Sequence, residues 1–497
     1  MSDRSSSVKE KLEPAVVRAG IVVVLGTIMA ILDTTIVAVA LDTLSKDFNV
    51  SIATIQWVTT GYLLALAVVI PVTGWAIHRL GAKPLYILSL VLFLLGSALC
   101  GCAWSATSLI VFRILQGIGG GMLLPVGQTI MARTTGPQRM GKVMGIIGVP
   151  TLLGPILGPV IGGAIITNVS WRWIFFVNIP IGIVALVLAI KFLKGSERDK
   201  DHRFDLVGFL CLSPGLALIV YGLSEVGNQG GFSDAKVQWS LSIGVILTVL
   251  FVWRSLRAPE PLMDMRLFKN RTFSISSICI FLTGMTLYGT MFLLPLYYQI
   301  VRGDSPWIAG LMMAPQGIGA ALVMRWSGTI ADRRGARAVV PFGMALLALG
   351  TLVYTQVSAT SNYTVLGCAL FVRGIGLGFG MMPVFAASYR ELSHEAVPRA
   401  TTAMNILRQV GGSLGVAIFA VVLQSQITSN VPGATSGLGS IMGTHLPPSE
   451  LEKIATSFAT SFWWSFGVCA LAILPALFLP KAVSPEKEVL QVRAATT

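Results

Sequence analysis

The sequence predicts an all-α integral membrane protein of fourteen transmembrane helices, with two inserted helices between two halves of six helices each. The first observation is composition, since 54% of the 497 residues are hydrophobic and only 12% are charged, against about 25% in soluble domains. The second is the alternation of positive charge between the gaps that separate apolar segments. The third is an internal repeat that relates the first part of the chain to the last.

Apolar segments long enough to cross a bilayer define the predicted spans. Numbered in chain order, they are 19–41, 56–77, 84–104, 107–132, 143–169, 173–191, 206–226, 237–253, 273–301, 306–325, 338–357, 362–388, 400–427 and 458–480. They divide the chain into a cytoplasmic N-terminal tail (1–18), a six-helix bundle (19–193), linkers with inserted spans 7 and 8 (194–272), a second six-helix bundle (273–480) and a cytoplasmic C-terminal tail (481–497).

Positive charge is concentrated on one side of these spans. Of the 36 Lys and Arg residues, 28 lie in gaps on one side and 5 in gaps on the other, while Arg113, Arg373 and Arg408 fall within spans. Because cytoplasmic loops carry the excess of Lys and Arg, both termini are expected in the cytoplasm. The net charge of +14 is therefore a topology signal, and no nucleic-acid partner is expected.

The loops after span 2 and span 10 carry similar sequences 254 residues apart. The residue pairs Phe112-Arg113 and Val372-Arg373 repeat at a similar offset. Two similar six-helix halves with a site between them are typical of transporters that rock between two open states. The candidate gating residues of the two loops are Gly74, His78, Arg79, Gly81, Asp332, Arg333, Gly335 and Arg337.

Span 5 contains a run of glycines and prolines within an apolar segment. Glycines spaced by four residues share a helix face that allows another helix to approach closely, and prolines remove backbone donors and bend the helix. We expect this face to pack against the opposite half, at span 10. The residues of this run are Gly154, Pro155, Gly158, Pro159, Gly162 and Gly163.

Further motifs follow in a fixed order: Leu32-Asp33-Thr-Thr35-Ile36 in span 1, Gln56-Trp57-Val58 to Tyr62-Leu63 at span 2, Arg113-Ile-Leu-Gln116-Gly117 in span 4, Trp171-Arg172-Trp173 to Asn178-Ile-Pro180 at span 6 and Arg266-Leu267-Phe268 before span 9. With the glycine run, this set resembles the fourteen-helix drug:proton antiporter branch of the major facilitator superfamily, the EmrB/QacA type. The resemblance implies export by alternating access and a role for Arg113 in proton coupling. The family usually has an acid at the position of His78, so the N-terminal charge relay is expected to be weaker or pH-sensitive here; the alternative is an interfacial polar residue.

Asp33 is the one acid placed deep inside a predicted span. Burial of a carboxyl in an apolar cavity disfavours its ionised form, so Asp33 is a candidate to load and release protons, in exclusion with a cationic drug. The alternative is a structural pair with an arginine or lysine. Arg113 lies on one helix face with Gln116. The alternative to a coupling role for Arg113 is a structural role, in which it bonds to backbone carbonyls. Asp33, Arg113 and Gln116 are the proposed proton-coupling residues, and Arg408 is a candidate counterpart of Arg113.

Methionines and aromatic residues concentrate in spans 9 and 10. Flexible thioethers and aromatic faces suit the binding of varied lipophilic cations, although core packing or lipid contact explains any single residue as well. The candidate substrate cavity comprises Tyr62, Met285, Tyr288, Met291, Phe292, Tyr297, Met312, Met313, Gln316, Asn405 and Arg408.

The functional prediction is proton-coupled multidrug efflux of lipophilic, often cationic, small molecules. The alternative is an exporter or flippase of endogenous lipid-like compounds on the same fold. An enzyme or sensor is disfavoured, because the sequence has no metal-ligand cluster, nucleophile motif or Walker loop. We therefore expect no cofactor or metal beyond the proton gradient. The expected partners are small lipophilic substrates, protons and the lipid bilayer, and the chain is expected to act as a monomer in a bacterial plasma membrane, with or without accessory envelope partners.

Overall fold

The computed structural model describes residues 13–50, 52–55, 57–135, 154, 157–158, 161–166, 168–195, 204–229, 232–389, 392, 396–431 and 447–480. All regular secondary structure in these residues is helical. Helices are numbered here so that each label matches the predicted span of the same number.

The first half contains α1 (Pro14–Asp47), α2a (Trp57–Val69), α2b (Val72–Leu80), α3 (Ala82–Gly101), α4 (Ala106–Thr135), helical residues of α5 among 154–168, and α6 (Asn178–Phe192). The inserted pair is α7 (Leu206–Gln229) and α8 (Ala235–Arg257). The second half contains α9 (Arg271–Leu296), α10 (Pro306–Arg334), α11 (Val340–Tyr354), α12 (Tyr363–Tyr389), α13 (Val397–Asn430) and α14 (Pro448–Ala476).

Local sequence signals explain several of the helix starts. The hydroxyl of Ser305 accepts a hydrogen bond from the backbone N–H of Ile308, and the side chain of Asn270 accepts one from Phe273. These side chains satisfy backbone donors that a helix N-terminus leaves unpaired. Proline occupies the first turn of α1, α10, α11, α13 and α14, where its missing N–H costs nothing.

Twelve helices in the described part of the chain are long and apolar enough to cross a membrane, and the bent pair α2a and α2b brings the number to 13. The bend of 57° lies at Pro71, whose ring removes a backbone donor. Predicted span 5, over 143–169, lies mostly outside the described residues, as do Pro155 and Pro159. The all-helical membrane fold is thus confirmed, and a count of fourteen stays a prediction.

Several helices extend beyond their predicted spans. α10 continues to Arg334, so Asp332 and Arg333 belong to its last turn rather than to a loop. In the same way, His78 and Arg79 belong to the last turn of α2b. α14 begins at Pro448, ten residues before its predicted span. Hydropathy marks where a helix leaves the apolar layer, whereas backbone hydrogen bonds decide where it ends.

The turns after α2b and α10 have the same backbone geometry. Gly81 has φ 88° and ψ 151°, and Gly335 has φ 85° and ψ 157°. Side chains rarely adopt this positive φ, so both turns favour glycine. Each glycine N–H donates to a carbonyl four residues earlier, at 2.9 Å in both copies. The internal repeat of the sequence is therefore a repeat in three dimensions, and these two turns define what we call the basic end of the bundle.

The glycine face of α5 packs against α1 of its own half, so the predicted contact with span 10 is wrong. A Cβ at Gly158 would lie 2.6 Å from Cβ of Thr35, and one at Gly162 would lie 3.1 Å from Ile36. Thr35 also donates a hydrogen bond to the carbonyl of Gly154, at 3.2 Å. Glycine spacing predicts that a helix approaches closely, but it does not specify which helix does so.

The inserted pair contacts both halves. On α7, the hydroxyl of Ser213 donates to the carbonyl of Val68 in α2a at 2.8 Å, and the ring of Tyr221 stacks on Trp57 at 6.0 Å. On the other side, residues of α7 and α8 form a buried apolar cluster with Ala417 of α13. The insertion is therefore a packed part of the bundle.

Candidate functional site

Asp33 and Arg113 form an ion pair that is fully buried inside the first half. Nη1 of Arg113 lies 2.5 Å from Oδ2 of Asp33, and the exposed fraction of each side chain is 0%. α1 supplies the carboxylate and α4 supplies the guanidinium. Because a buried unpaired charge is costly, each residue serves as the counterion of the other.

Two side-chain amides complete the coordination of the carboxylate. Nε2 of Gln116 donates to Oδ1 of Asp33 at 2.9 Å, and Nδ2 of Asn178 donates to the same oxygen at 3.0 Å. Both amides also donate to the hydroxyl of Ser97, which in turn donates to the carbonyl of Phe175. Three helices, α1, α4 and α6, therefore meet at one carboxylate, and α3 is joined to them through Ser97.

Arg113 is held on its other sides as well. Its Nε donates to the carbonyl of Val58 at 3.2 Å, and its guanidinium lies 4.1 Å from the ring centre of Tyr62. Nη2 has no hydrogen-bond partner among the described residues. Tyr62, predicted to line the substrate cavity, thus belongs to the buried network of Asp33, and both structural alternatives, a paired Asp33 and a carbonyl-bonded Arg113, are present in the geometry.

Glycines allow these helices to approach closely enough for the network to form. A Cβ at Gly96 of α3 would lie 2.6 Å from Cα of Gln116, and one at Gly117 would lie 2.8 Å from the carbonyl oxygen of Tyr62. A larger residue at either position would separate α4 from its neighbours. The short polar contacts therefore depend on positions without side chains.

The second half holds a related arginine that has no carboxylate partner among the described residues. Arg373 of α12 is fully buried and donates from Nη1 to Oε1 of Gln316 at 2.6 Å, from Nη2 to Thr290 at 2.7 Å and from Nε to Thr351 at 3.1 Å. Thr351 stands 254 residues after Ser97, the offset of the internal repeat. Gln316, predicted as a cavity residue, accepts a hydrogen bond from Arg373.

Other predicted cavity residues pack either in a buried apolar cluster of the second half or against glycines of α13. Tyr297 and Met313 lie in a buried cluster of the second half, where the Tyr297 hydroxyl donates to the carbonyl of Ser358 at 2.8 Å. Met291, Phe292 and Met312 are partly buried against this cluster. Tyr288 and Met285 lie against the glycines Gly412 and Gly415 of α13. Their positions agree with the packing alternative for single residues.

The two halves touch towards the basic end along a surface we call the seam, formed by Thr73 and Gln128 of the first half and Thr402 and Asn405 of the second. The hydroxyl oxygens of Thr73 and Thr402 are 3.1 Å apart, and Nδ2 of Asn405 donates to Oε1 of Gln128 at 2.7 Å. Gly74 lies directly on this contact, since a Cβ there would lie 3.3 Å from the Thr402 hydroxyl. Gly74 and Asn405 are among the residues predicted from the sequence. Their partners Thr402 and Gln128 are not, because neutral polar residues in apolar spans carry no distinctive signal.

The predicted gating residues differ in burial, and of these Gly74 lies at the seam. Arg79, Arg333 and Arg337 are exposed, whereas His78 and Asp332 are half-buried. His78, at the position where the family usually has an acid, is therefore partly shielded from solvent. A charge relay through these residues stays a prediction.

The family model described as Major Facilitator Superfamily matches residues 23–416. A protein called multidrug resistance protein B homolog from Mycobacterium tuberculosis is 38% identical, over 96% of this chain and 92% of its own length. Lincomycin resistance protein LmrB from Listeria innocua is 28% identical, over 89% of this chain and 92% of its own length.

Two solved structures share the fold. A double tryptophan mutant of XylE matches with a TM-score of 0.64 and 15% identity, over 94% of this chain and 96% of that one. The human organic anion transporter MFSD10 matches with a TM-score of 0.59 and 17% identity, over 92% and 100% of the two chains.

Proposed function

Since the chain belongs to the major facilitator superfamily, we propose that it exports lipophilic small molecules, cationic drugs among them, in exchange for protons. In this proposal it is a fourteen-helix drug:proton antiporter of a bacterial plasma membrane, with both termini in the cytoplasm. The names of its relatives, which include multidrug and lincomycin resistance proteins, support the substrate class. The excess of Lys and Arg at the basic end supports the orientation.

The single observation that carries the proton coupling is the coordination of Asp33. Its carboxylate is buried, paired with Arg113 and bonded by the amides of Gln116 and Asn178. A proton that binds Asp33 removes the counterion of Arg113 and turns one oxygen from acceptor into donor. Because a buried guanidinium without a counterion is costly, protonation destabilises this arrangement and shifts the equilibrium towards another one.

In this proposal, the second state of the transporter is the one in which the seam is open. The seam is closed here by two hydrogen bonds between neutral side chains, each worth about 0.5–1.5 kcal/mol. A proton that crosses a potential of 100 mV releases about 2.3 kcal/mol, which is comparable with the free energy needed to break such contacts. Alternating access therefore needs only a small bias, and in this proposal the protonation of Asp33 supplies it.

The test is transport by purified protein in lipid vesicles with an imposed pH gradient. We expect a fluorescent lipophilic drug to accumulate against its gradient only while the pH gradient lasts, and an uncoupler to abolish the accumulation. Vesicles without protein are the control. Equal accumulation with and without the pH gradient would remove the proton from the mechanism, and flipping of labelled phospholipid in the absence of drug transport would favour the lipid-exporter alternative.

A further inference from the structure

The helices bury more positive than negative charge. Among the side chains that the structure describes, Arg113, Arg373 and Arg408 are the buried arginines. Asp33 neutralises Arg113, whereas neither of the other two has a carboxylate within ion-pair distance in the described part of the chain. Both uncompensated arginines belong to the second half, on α12 and α13.

These two arginines differ in how their donors are used. Arg373 donates to three neutral side chains and to one backbone carbonyl. Arg408 makes one long hydrogen bond, from Nη2 to Oδ1 of Asn405 at 3.4 Å, and its Nε is buried without an acceptor in the described structure. Its side chain is nevertheless only 8% exposed. Unmet donors on a buried cation are costly, so Arg408 is the buried arginine whose donors are least satisfied by its neighbours.

Arg408 is fixed beside the seam. Its hydrogen-bond partner Asn405 lies one helical turn earlier and donates to Gln128 of the first half. The backbone of Arg408 is packed against Gly284 of α9, where a Cβ would lie 2.7 Å from the Arg408 carbonyl oxygen. Any separation of the halves therefore breaks the Asn405–Gln128 hydrogen bond beside the Arg408 guanidinium. The Asn405 amide nitrogen then keeps only its hydrogen bond to the carbonyl of Thr401, at 2.9 Å.

We propose that Arg408 and Asn405 bind a carboxylate, or a similar anionic group, of a lipophilic substrate at the seam. This inference rests on the proposed export function and extends the substrate range to lipophilic weak acids. A guanidinium presents paired N–H donors that match the two oxygens of a carboxylate. The anion neutralises Arg408 and competes with Gln128 for the Asn405 amide, so that loading of the substrate and opening of the seam favour each other. A cationic head group is repelled by Arg408.

The test uses three probes with one fluorophore and three head groups: a dansyl-labelled fatty acid, its methyl ester and its trimethylammonium analogue. Binding to the full-length protein in neutral detergent is followed by dansyl fluorescence. For the wild type we expect the acid to bind at least about tenfold more tightly than the ester, the range of a charge-assisted hydrogen bond. Arg408→Gln should abolish this difference and leave the affinity for the ester unchanged, whereas Arg408→Lys should keep part of it.

Equal affinity of the wild type for acid and ester, or failure of both to bind, would overturn the site without needing any variant. The same holds if Arg408→Gln keeps the preference for the acid, or if this variant does not strengthen the binding of the trimethylammonium probe, which Arg408 should repel. It also holds if short-chain phosphatidylglycerol displaces the acid as strongly as the unlabelled fatty acid does. Binding needs no pH gradient. A preserved preference for the acid in protein that shows no gradient-driven transport would therefore refute proton-coupled export and leave the site intact.

Discussion

The role of Asp33 is tested by varying it together with its counterion Arg113. A carboxylate bonded to Arg113, Gln116 and Asn178 can be a proton carrier or a structural counterion. Removing one member of a buried ion pair costs about 3–5 kcal/mol of stability, so loss of function in a single variant does not distinguish the two. Removing both charges together does distinguish the two roles. The double variant should regain stability, but it still lacks the titratable carboxyl group.

We therefore expect Asp33→Asn to lose gradient-driven transport and to unfold at a lower temperature. The double variant Asp33→Asn/Arg113→Gln should regain much of the stability, since no unpaired charge stays buried, but it should not regain coupled transport. Thermal unfolding and vesicle transport measure the two effects separately. Glu225 lies near the C-terminal end of α7, and the matched control Glu225→Gln should transport normally. Coupled transport by the double variant would show that Asp33 is only a counterion.

At the scale of single elements, the glycine face of α5 determines how α1 is held. Thr35 lies two residues after Asp33, and it contacts Gly154 and Gly158. Because both helices belong to the first half, this contact persists whichever side of the protein is open. A residue that separates α5 from α1 should therefore lower the stability of the half and disturb Asp33, rather than favour one of the two open states.

Alanine substitutions at two helical glycines test this point. A Cβ at Gly158 would meet Cβ of Thr35 at 2.6 Å and its carbonyl carbon at 3.1 Å, whereas one at Gly20 would meet only the flexible end of Met131, at 3.6 Å. We expect Gly158→Ala to destabilise the protein by about 1–3 kcal/mol through overpacking. Gly20→Ala should be neutral or slightly stabilising, since alanine is the better helix former. Equal unfolding temperatures for the two variants would mean that α5 does not press on α1.

The sequence predicts the helices of this protein better than their partners. The apolar layer requires about 20 apolar residues per crossing, so most spans are evident, and only their polar extensions, such as the start of α14 at Pro448, are missed. The charged members of the site, Asp33 and Arg113, are recognisable because a charge in a span is rare. Ser97 and Asn178 were not assigned to the site, since neutral polar residues in apolar spans are common. The partner of the α5 glycines depends on how whole helices are arranged, which spacing does not encode.

At the scale of the whole molecule, the two halves rest on one another at the basic end. The two hydrogen bonds described at the seam join neutral polar side chains, with Gly74 directly beside them. An interface of this kind separates easily, unlike the glycine-lined contacts within each half. Under the proposed export by alternating access, the seam opens to admit substrate, so fixing it closed should stop transport while the rest of the fold stays intact.

Thr73 and Thr402 offer the means to fix it. Their hydroxyl oxygens lie 3.1 Å apart, so cysteines at both positions would place two sulfurs close to bonding distance. We expect Thr73→Cys/Thr402→Cys, with Cys102, Cys211 and Cys368 replaced by serine, to form a disulfide on oxidation and to lose nearly all transport. A reductant should restore activity, and each single cysteine variant should be insensitive to the oxidant. Undiminished transport with the disulfide fully formed, as shown by mass spectrometry, would mean that the halves do not part at this surface. Because the bridge joins two halves that are already in contact, it should also raise the unfolding temperature, which separates a locked protein from a damaged one.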